Sequence, residues 1–150
     1  MRLVDHDRIT LELVIDGYQF PEIENDRWDS NWLMVTGRVE HPRGAWSFRE
    51  PCLTAFEVED LAGWLDGVAS GEADARAGYF TEPNLEFRYL KHPEPAIEVS
   101  LGYESAPPWA RREAVTLRFP IAMNDPKAAA RALRGYLQIF PPRGLTGGAA

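Results

Sequence analysis

The chain has 150 residues, 11% of them aromatic, with 23 acidic against 16 basic side chains and a net charge of −7. That length suits one domain with a single core, and the aromatic load excludes intrinsic disorder. A lone cysteine, Cys52, excludes an internal disulfide, and no apolar run approaches the roughly 20 residues of a membrane helix. Met1 to Arg8 lacks the apolar core of a signal peptide, so a reducing, cytoplasmic setting is expected.

In chain order, Ile9, Leu11, Leu13 and Ile15 alternate with Thr10, Glu12 and Val14, which predicts a half-buried strand ended by Asp16-Gly17. Asn31 to Glu40 predicts a second strand, with Leu33, Val35, Gly37 and Val39 on one face. His41 to Gly44 reads as a turn, Ala45 to Arg49 as its hairpin partner, and Pro51 to Ala55 as a further short strand. The spacing of Val58, Leu61, Trp64, Leu65 and Val68 predicts a helix over 56–69. Thr54 and Glu57 stand at capping-box spacing, and Gly71 is a natural stop. Residues 70–78 read as a loop.

Leu85, Phe87 and Tyr89 alternate, as do Ile97, Val99, Leu101 and Tyr103, and then Val115, Leu117, Phe119 and Ile121. Proline-rich turns at His92 to Pro95 and Ala106 to Trp109 separate these three strands. Asp125 as N-cap and Pro126 at the first helical position open a helix over 125–139. Its expected apolar stripe is Leu133, Tyr136, Leu137 and Phe140, and Pro141-Pro142 stops it. Short connections favour antiparallel pairing. The expected fold is α+β, a mainly antiparallel curved sheet of six to seven strands with two helices packed against it. One domain is expected over 1–143, followed by a flexible Gly/Ala tail at 144–150. Leu13, Val35, Trp64, Phe87, Val99, Leu117 and Leu137 are the expected core.

Two short motifs echo each other. Gly17-Tyr18-Gln19-Phe20-Pro21-Glu22 runs on through Asp26-Arg27-Trp28-Asp29-Ser30-Asn31-Trp32-Leu33, and Glu82-Pro83-Asn84-Leu85-Glu86-Phe87 follows later. Each joins a turn rich in Pro, Asn and acids to an alternating apolar run. Asn31 and Asn84 are expected to fix the strand entries through side-chain bonds to backbone. Trp28 and Trp109 lie in predicted loops. Each is expected to fold back over the core, while an exposed indole there would anchor a partner.

Signals for catalysis are absent. His6, His41 and His92 are far apart and lack metal-site spacing, and no phosphate loop or nucleophile elbow occurs. Glu22, Glu24, Asp26 and Asp29 crowd eight residues, but without the glycine and terminal Glu of a calcium loop. A solvated loop of this kind keeps its acids ionised, unlike a glycosidase acid. Cys52 has no basic sequence neighbour and reads as a small buried hydrophobe. No catalytic residue, metal or cofactor is expected.

Charge is unevenly spread. Residues 1–75 carry 16 acids and 6 bases, a balance of −10, whereas 76–150 carry 7 acids and 10 bases, a balance of +3. An acidic patch repels nucleic acid and steers a basic protein partner. The candidate partner surface is therefore Tyr18, Glu22, Glu24, Asp26, Trp28 and Asp29.

The Gly17 to Pro21 motif, Asp29 to Leu33, the helix with Leu61 and Trp64-Leu65, Glu82 to Phe87, and Pro107-Pro108-Trp109 together resemble the bacterial WapI-family immunity proteins. The likeness spans about residues 9 to 142. The resemblance implies a non-enzymatic protein that binds and neutralises a toxin domain in the bacterial cytoplasm. WapI toxin tips include nucleases acting on tRNA, so it also implies a basic partner, with no nucleic acid and no membrane bound directly. Immunity proteins track variable toxins, so the recognisable motifs are expected to be scaffold. The alternative readings are a small-molecule-binding domain with an aromatic-lined pocket between sheet and helix, and an enzyme using carboxylates of the Asp29 and Glu82 regions.

Overall fold

The computed structural model describes residues 1–144. Most of the tail expected to be flexible, 145–150, lies outside the described residues. Among these, the order is β1 (Arg2–Val4), β2 (Thr10–Tyr18), β3 (Trp32–Glu40), β4 (Trp46–Thr54), α1 (Ala55–Ser70), β5 (Leu85–Leu90), β6 (Ala96–Leu101), β7 (Val115–Pro120) and α2 (Pro126–Ile139). All strand pairs are antiparallel, and the α+β class is as expected. The strands form two open sheets, β1-β2-β3-β4 and β5-β6-β7, and not one continuous curved sheet. The cause is that α1 and its following connection separate β4 from β5.

The first strand was not visible as a pattern, because three residues are too few to show alternation. Leu3 is fully buried and pairs with Leu11. Asn124 then holds this edge strand from the other end of the chain. Its Oδ1 accepts from the Val4 N–H and its Nδ2 donates to the Val4 carbonyl, both at 2.9 Å.

Two bulges fall beside Met34. In β2, Ile15 faces Val35 and Gly17 faces Met34, so Asp16 is the extra residue. The strand therefore continues through the expected Asp16-Gly17 stop to Tyr18. In β4, Val35 faces Glu50 and Leu33 faces Leu53, so the strand expected to break near Glu50 runs on through Pro51. A bulge tolerates proline because the ladder bond is already missing there. The bulged Asp16 carboxylate accepts from Thr36 at 2.6 Å and from Arg49 at 3.0–3.2 Å, which ties three strands together.

Helix α1 begins on a complete capping box. Thr54 Oγ1 accepts from the Glu57 N–H at 3.2 Å and Glu57 Oε2 accepts from the Thr54 N–H at 2.8 Å. Gly71 closes it in the left-handed conformation, φ 78°. In α2, Asp125 caps the Ala128 N–H at 3.0 Å. The buried stripe of α2 is Pro126, Ala129, Ala130 and Leu133, one to two turns earlier than expected. These small residues allow close packing against α1, and Arg134 bridges the helices to Glu59 and Asp66 at 3.3 and 2.6 Å.

One hydrophobic cluster contains residues of both sheets and both helices. Leu13, Val35, Trp64, Phe87, Val99 and Leu117 are buried in it, whereas Leu137 is half-buried and packs on its margin. No helix among the described residues is long and apolar enough to cross a membrane.

Candidate interaction site

The loop after β2 is built on its own polar groups. Asp26 Oδ1 accepts from the N–H groups of Trp28 and Asp29, both at 2.7 Å, and so caps the 3₁₀ turn at Asp29–Asn31. The Ser30 hydroxyl donates to the Asp26 carbonyl. Asn31 is fully buried. It donates to the carbonyls of Arg27 and Arg143 and accepts from the Arg143 N–H, each at 2.8 Å. As expected, this asparagine bonds backbone.

Arg143 returns from beyond α2 to clamp the same loop. Its guanidinium donates to the carbonyls of Ser30, Pro21 and Phe20, each at 3.0 Å. The Tyr18 hydroxyl donates to the Pro141 carbonyl at 2.5 Å, and the Tyr18 ring meets Phe140 edge-on at 5.5 Å.

The six candidate residues therefore divide. Tyr18 is half-buried under the returning chain, and Asp26 is exposed yet spends its carboxylate on the turn. Glu22, Glu24 and Asp29 are exposed. Trp28 is 59% exposed and does not fold over the core. It stands at the start of the 3₁₀ turn, with the Arg27 guanidinium carbon 5.9 Å from its ring centroid. Trp109 does fold back: its ring stands edge-on to the buried Trp46 at 6.0 Å, beneath the Arg43 guanidinium at 4.0 Å.

The second motif is held by the α1 cap. Glu57 Oε1 accepts from the Thr81 N–H at 2.6 Å, one residue before Glu82. Asn84 differs from expectation. Its amide donates to the carboxylate of Glu104 at 3.1 Å and not to backbone. Here the main chain needs no side-chain help, since the Asn84 carbonyl already accepts from the Gly102 N–H at 2.9 Å.

Tertiary folding brings the two motifs to one cleft of about 430 Å³. Gln19, Phe20, Asp29 and Trp32 come from the first motif, and Glu82 and Asn84 from the second. Glu50, Pro51 and Cys52 of β4 and Glu104 complete it. Neither α-helix contributes, so this aromatic-walled space is not the pocket between sheet and helix. Glu50 and Glu104 had no local signal, because an acid in a strand or turn is ordinary until its neighbours are known. Arg143 was hidden likewise, beyond the Pro141-Pro142 stop.

Four carboxylates thus line the cleft, including those of the Asp29 and Glu82 regions. Glu104 is held below the usual carboxylate range, first by a backbone N–H bond and then by the Asn84 amide and the Arg112 charge. That direction opposes the raised pKa of a general acid. Cys52 is 2% exposed, and burial pushes its thiol up to about 12, so it is not a nucleophile at neutral pH. No group of three or more His, Cys, Asp or Glu among the described residues is placed to hold a metal ion.

No curated protein and no solved structure matches the chain. The Immunity protein WapI-like family matches it over residues 2–141, nearly its whole length. The chain belongs to the WapI-like immunity protein family.

Proposed function

We propose that this protein binds and neutralises a toxin domain, a basic nuclease, in the bacterial cytoplasm without catalysing a reaction. The family match over residues 2–141 carries this reading. The charge pattern supports it. Glu22, Glu24 and Asp29 are exposed on one loop with Trp28. Rim acids of this kind steer a basic partner and act mostly on its association rate. A large aromatic among them supplies a contact that excludes water.

The test is binding kinetics against the toxin domain encoded beside this gene, at low and high salt. Reversing Glu22, Glu24 and Asp29 to Lys, while leaving the turn-capping Asp26, is expected to slow association by at least about tenfold and to flatten its salt dependence. Equal on-rates would remove the loop from the interface. A wild-type protein that does not bind that toxin at micromolar concentration would remove the immunity reading.

A further inference from the structure

We propose that the outer edge of β7 pairs with β7 of a second copy of this chain, joining two three-stranded sheets into one across a two-fold axis. Two open sheets leave four edges, those of β1, β4, β5 and β7. An edge strand presents unpaired N–H and C=O groups and recruits another strand unless something blunts it. Three of the four are blunted. β1 has only three residues, and Asn124 occupies both backbone groups of Val4. β4 is interrupted by the bulge at Pro51. β5 is covered by the connection from α1: the Phe87 carbonyl accepts from the Ala77 N–H at 3.1 Å, and the Tyr89 N–H donates to the Ala75 carbonyl at 2.9 Å.

β7 has no such cover, and its register against β6 fixes which groups point away. The Ile121 N–H donates to the Pro95 carbonyl at 2.9 Å. Hydrogen-bonded pairs then fall at Ile97–Phe119, Val99–Leu117 and Leu101–Val115. The backbone groups of Thr116, Arg118 and Pro120 therefore face outward. Pro120 has no N–H, and its carbonyl accepts from Asn124 at 2.7 Å. Asn124 thus joins the ends of β1 and β7, but no ladder bond links the two strands. The N–H and C=O groups of Thr116 and Arg118 have no partner among the described residues. Both side chains are exposed, and the edge runs without a bulge.

Charge and register select the occupant. Antiparallel pairing about a two-fold at Leu117 sets Thr116 of each copy opposite Arg118 of the other. Every free N–H and C=O of the two residues then gains a partner. Leu117 stands beside its own symmetry mate and Val115 beside Phe119, so apolar side chains meet on the core face. A shift one way sets Arg118 against Arg118 and Thr116 against Pro120, which has no N–H to give. A shift the other way engages Ala114, outside the strand. A strand from a basic partner would bring more charge of the sign of Arg118, whereas a second copy brings Thr116 there.

Sedimentation equilibrium of the full chain tests this, from micromolar to near-millimolar concentration, in salt that screens the net charge of −7 on each copy. Reversible dimerisation is expected. Thr116→Pro removes an outward N–H and no bond to β6, so it should keep its melting temperature and weaken dimerisation at least about tenfold. Thr116→Glu sets a carboxylate opposite Arg118 and should tighten it about threefold, while Thr116→Arg should weaken it. If the proline variant loses its fold, the charge variants decide alone. Hydrogen exchange at the Thr116 and Arg118 amides should slow as concentration rises.

A chain that stays monomeric, a dimer indifferent to a folded Thr116→Pro, or one weakened by Thr116→Glu would overturn the proposal. Protection of these two amides that appears only when the neighbouring toxin domain is added would give the edge to the toxin and overturn it equally. The measurements on the chain alone do not involve the toxin, so the immunity reading stands or falls separately.

Discussion

Arg143 lies over Tyr18, its guanidinium carbon 3.5 Å from the ring centroid, although 125 residues separate them in the chain. The same guanidinium reaches three loop carbonyls, so the chain after α2 holds the acidic loop in place. Arg143→Ala is expected to lower stability by about 1–3 kcal/mol through lost charge-assisted bonds. Arg143→Lys should recover little of that, because one ammonium cannot reproduce the fork. Hydrogen exchange of residues 19–31 should rise in both variants. Unchanged exchange there would show that the loop stands without the clamp.

The two asparagines should separate in energy. Asn31→Ala strips three partners inside a fully buried site. A cost of about 2–3 kcal/mol follows from the unsatisfied groups left behind. Asn84→Ala loses one bond to an exposed carboxylate and should cost about 1 kcal/mol. Urea denaturation of both variants measures this, and the reverse order would refute the assignment.

Gly37 of β3 is a space for the Phe48 ring. A Cβ built on Gly37 would stand 2.1 Å from that ring. Gly37→Ala should therefore cost about 1–3 kcal/mol by overpacking. Phe48→Leu removes the obstacle, so the double variant should lose less than the sum of the singles. Strict additivity in chemical denaturation would show that the ring moves aside freely.

Acid should loosen the strand ties. Burial alone would raise Asp16, but hydrogen bonds from Arg49 and Thr36 outweigh it and hold the carboxyl below its ordinary 3.8. Glu86 is held below its ordinary 4.5, chiefly by Arg76. A lowered folded pKa contributes stability above the unfolded value and loses it as pH falls through the folded value. The stability difference between wild type and Asp16→Asn should thus be steady from about pH 5 to 7 and shrink below about pH 4. A difference that grows on acidification would contradict this.

Cys52 should be inert in the native state. With burial pushing its thiol up to about 12, a disulfide reagent at pH 8 should label it only as fast as the protein opens. Labelling should become complete within the dead time in denaturant. Rapid labelling of the native protein would place the sulfur at the surface of the cleft.

Much of the architecture was readable from local pattern. Alternation in 10–15, 32–40, 85–90 and 96–101 reports burial on one face, and burial depends only on which residues share that face. The Thr54–Glu57 box and the Asp125-Pro126 start were readable for the same reason, since both ends of each contact lie within one turn. The division into two sheets was not readable, because alternation does not say which strands pair. Nor were the bulges at Asp16 and Pro51, which depend on register against β3.

The acidic balance of the first half and the exposure of Glu22, Glu24 and Asp29 came from composition and loop chemistry alone. What the tertiary structure decided is which groups remain free to act. It committed Tyr18 and Asp26 to holding the loop and turned Trp28 outward. It also set Glu50 and Glu104 beside Asp29 and Glu82 in one cleft. Those acids lie on separate elements, up to 75 residues apart, and only the packing of both sheets on one core brings them to one cleft.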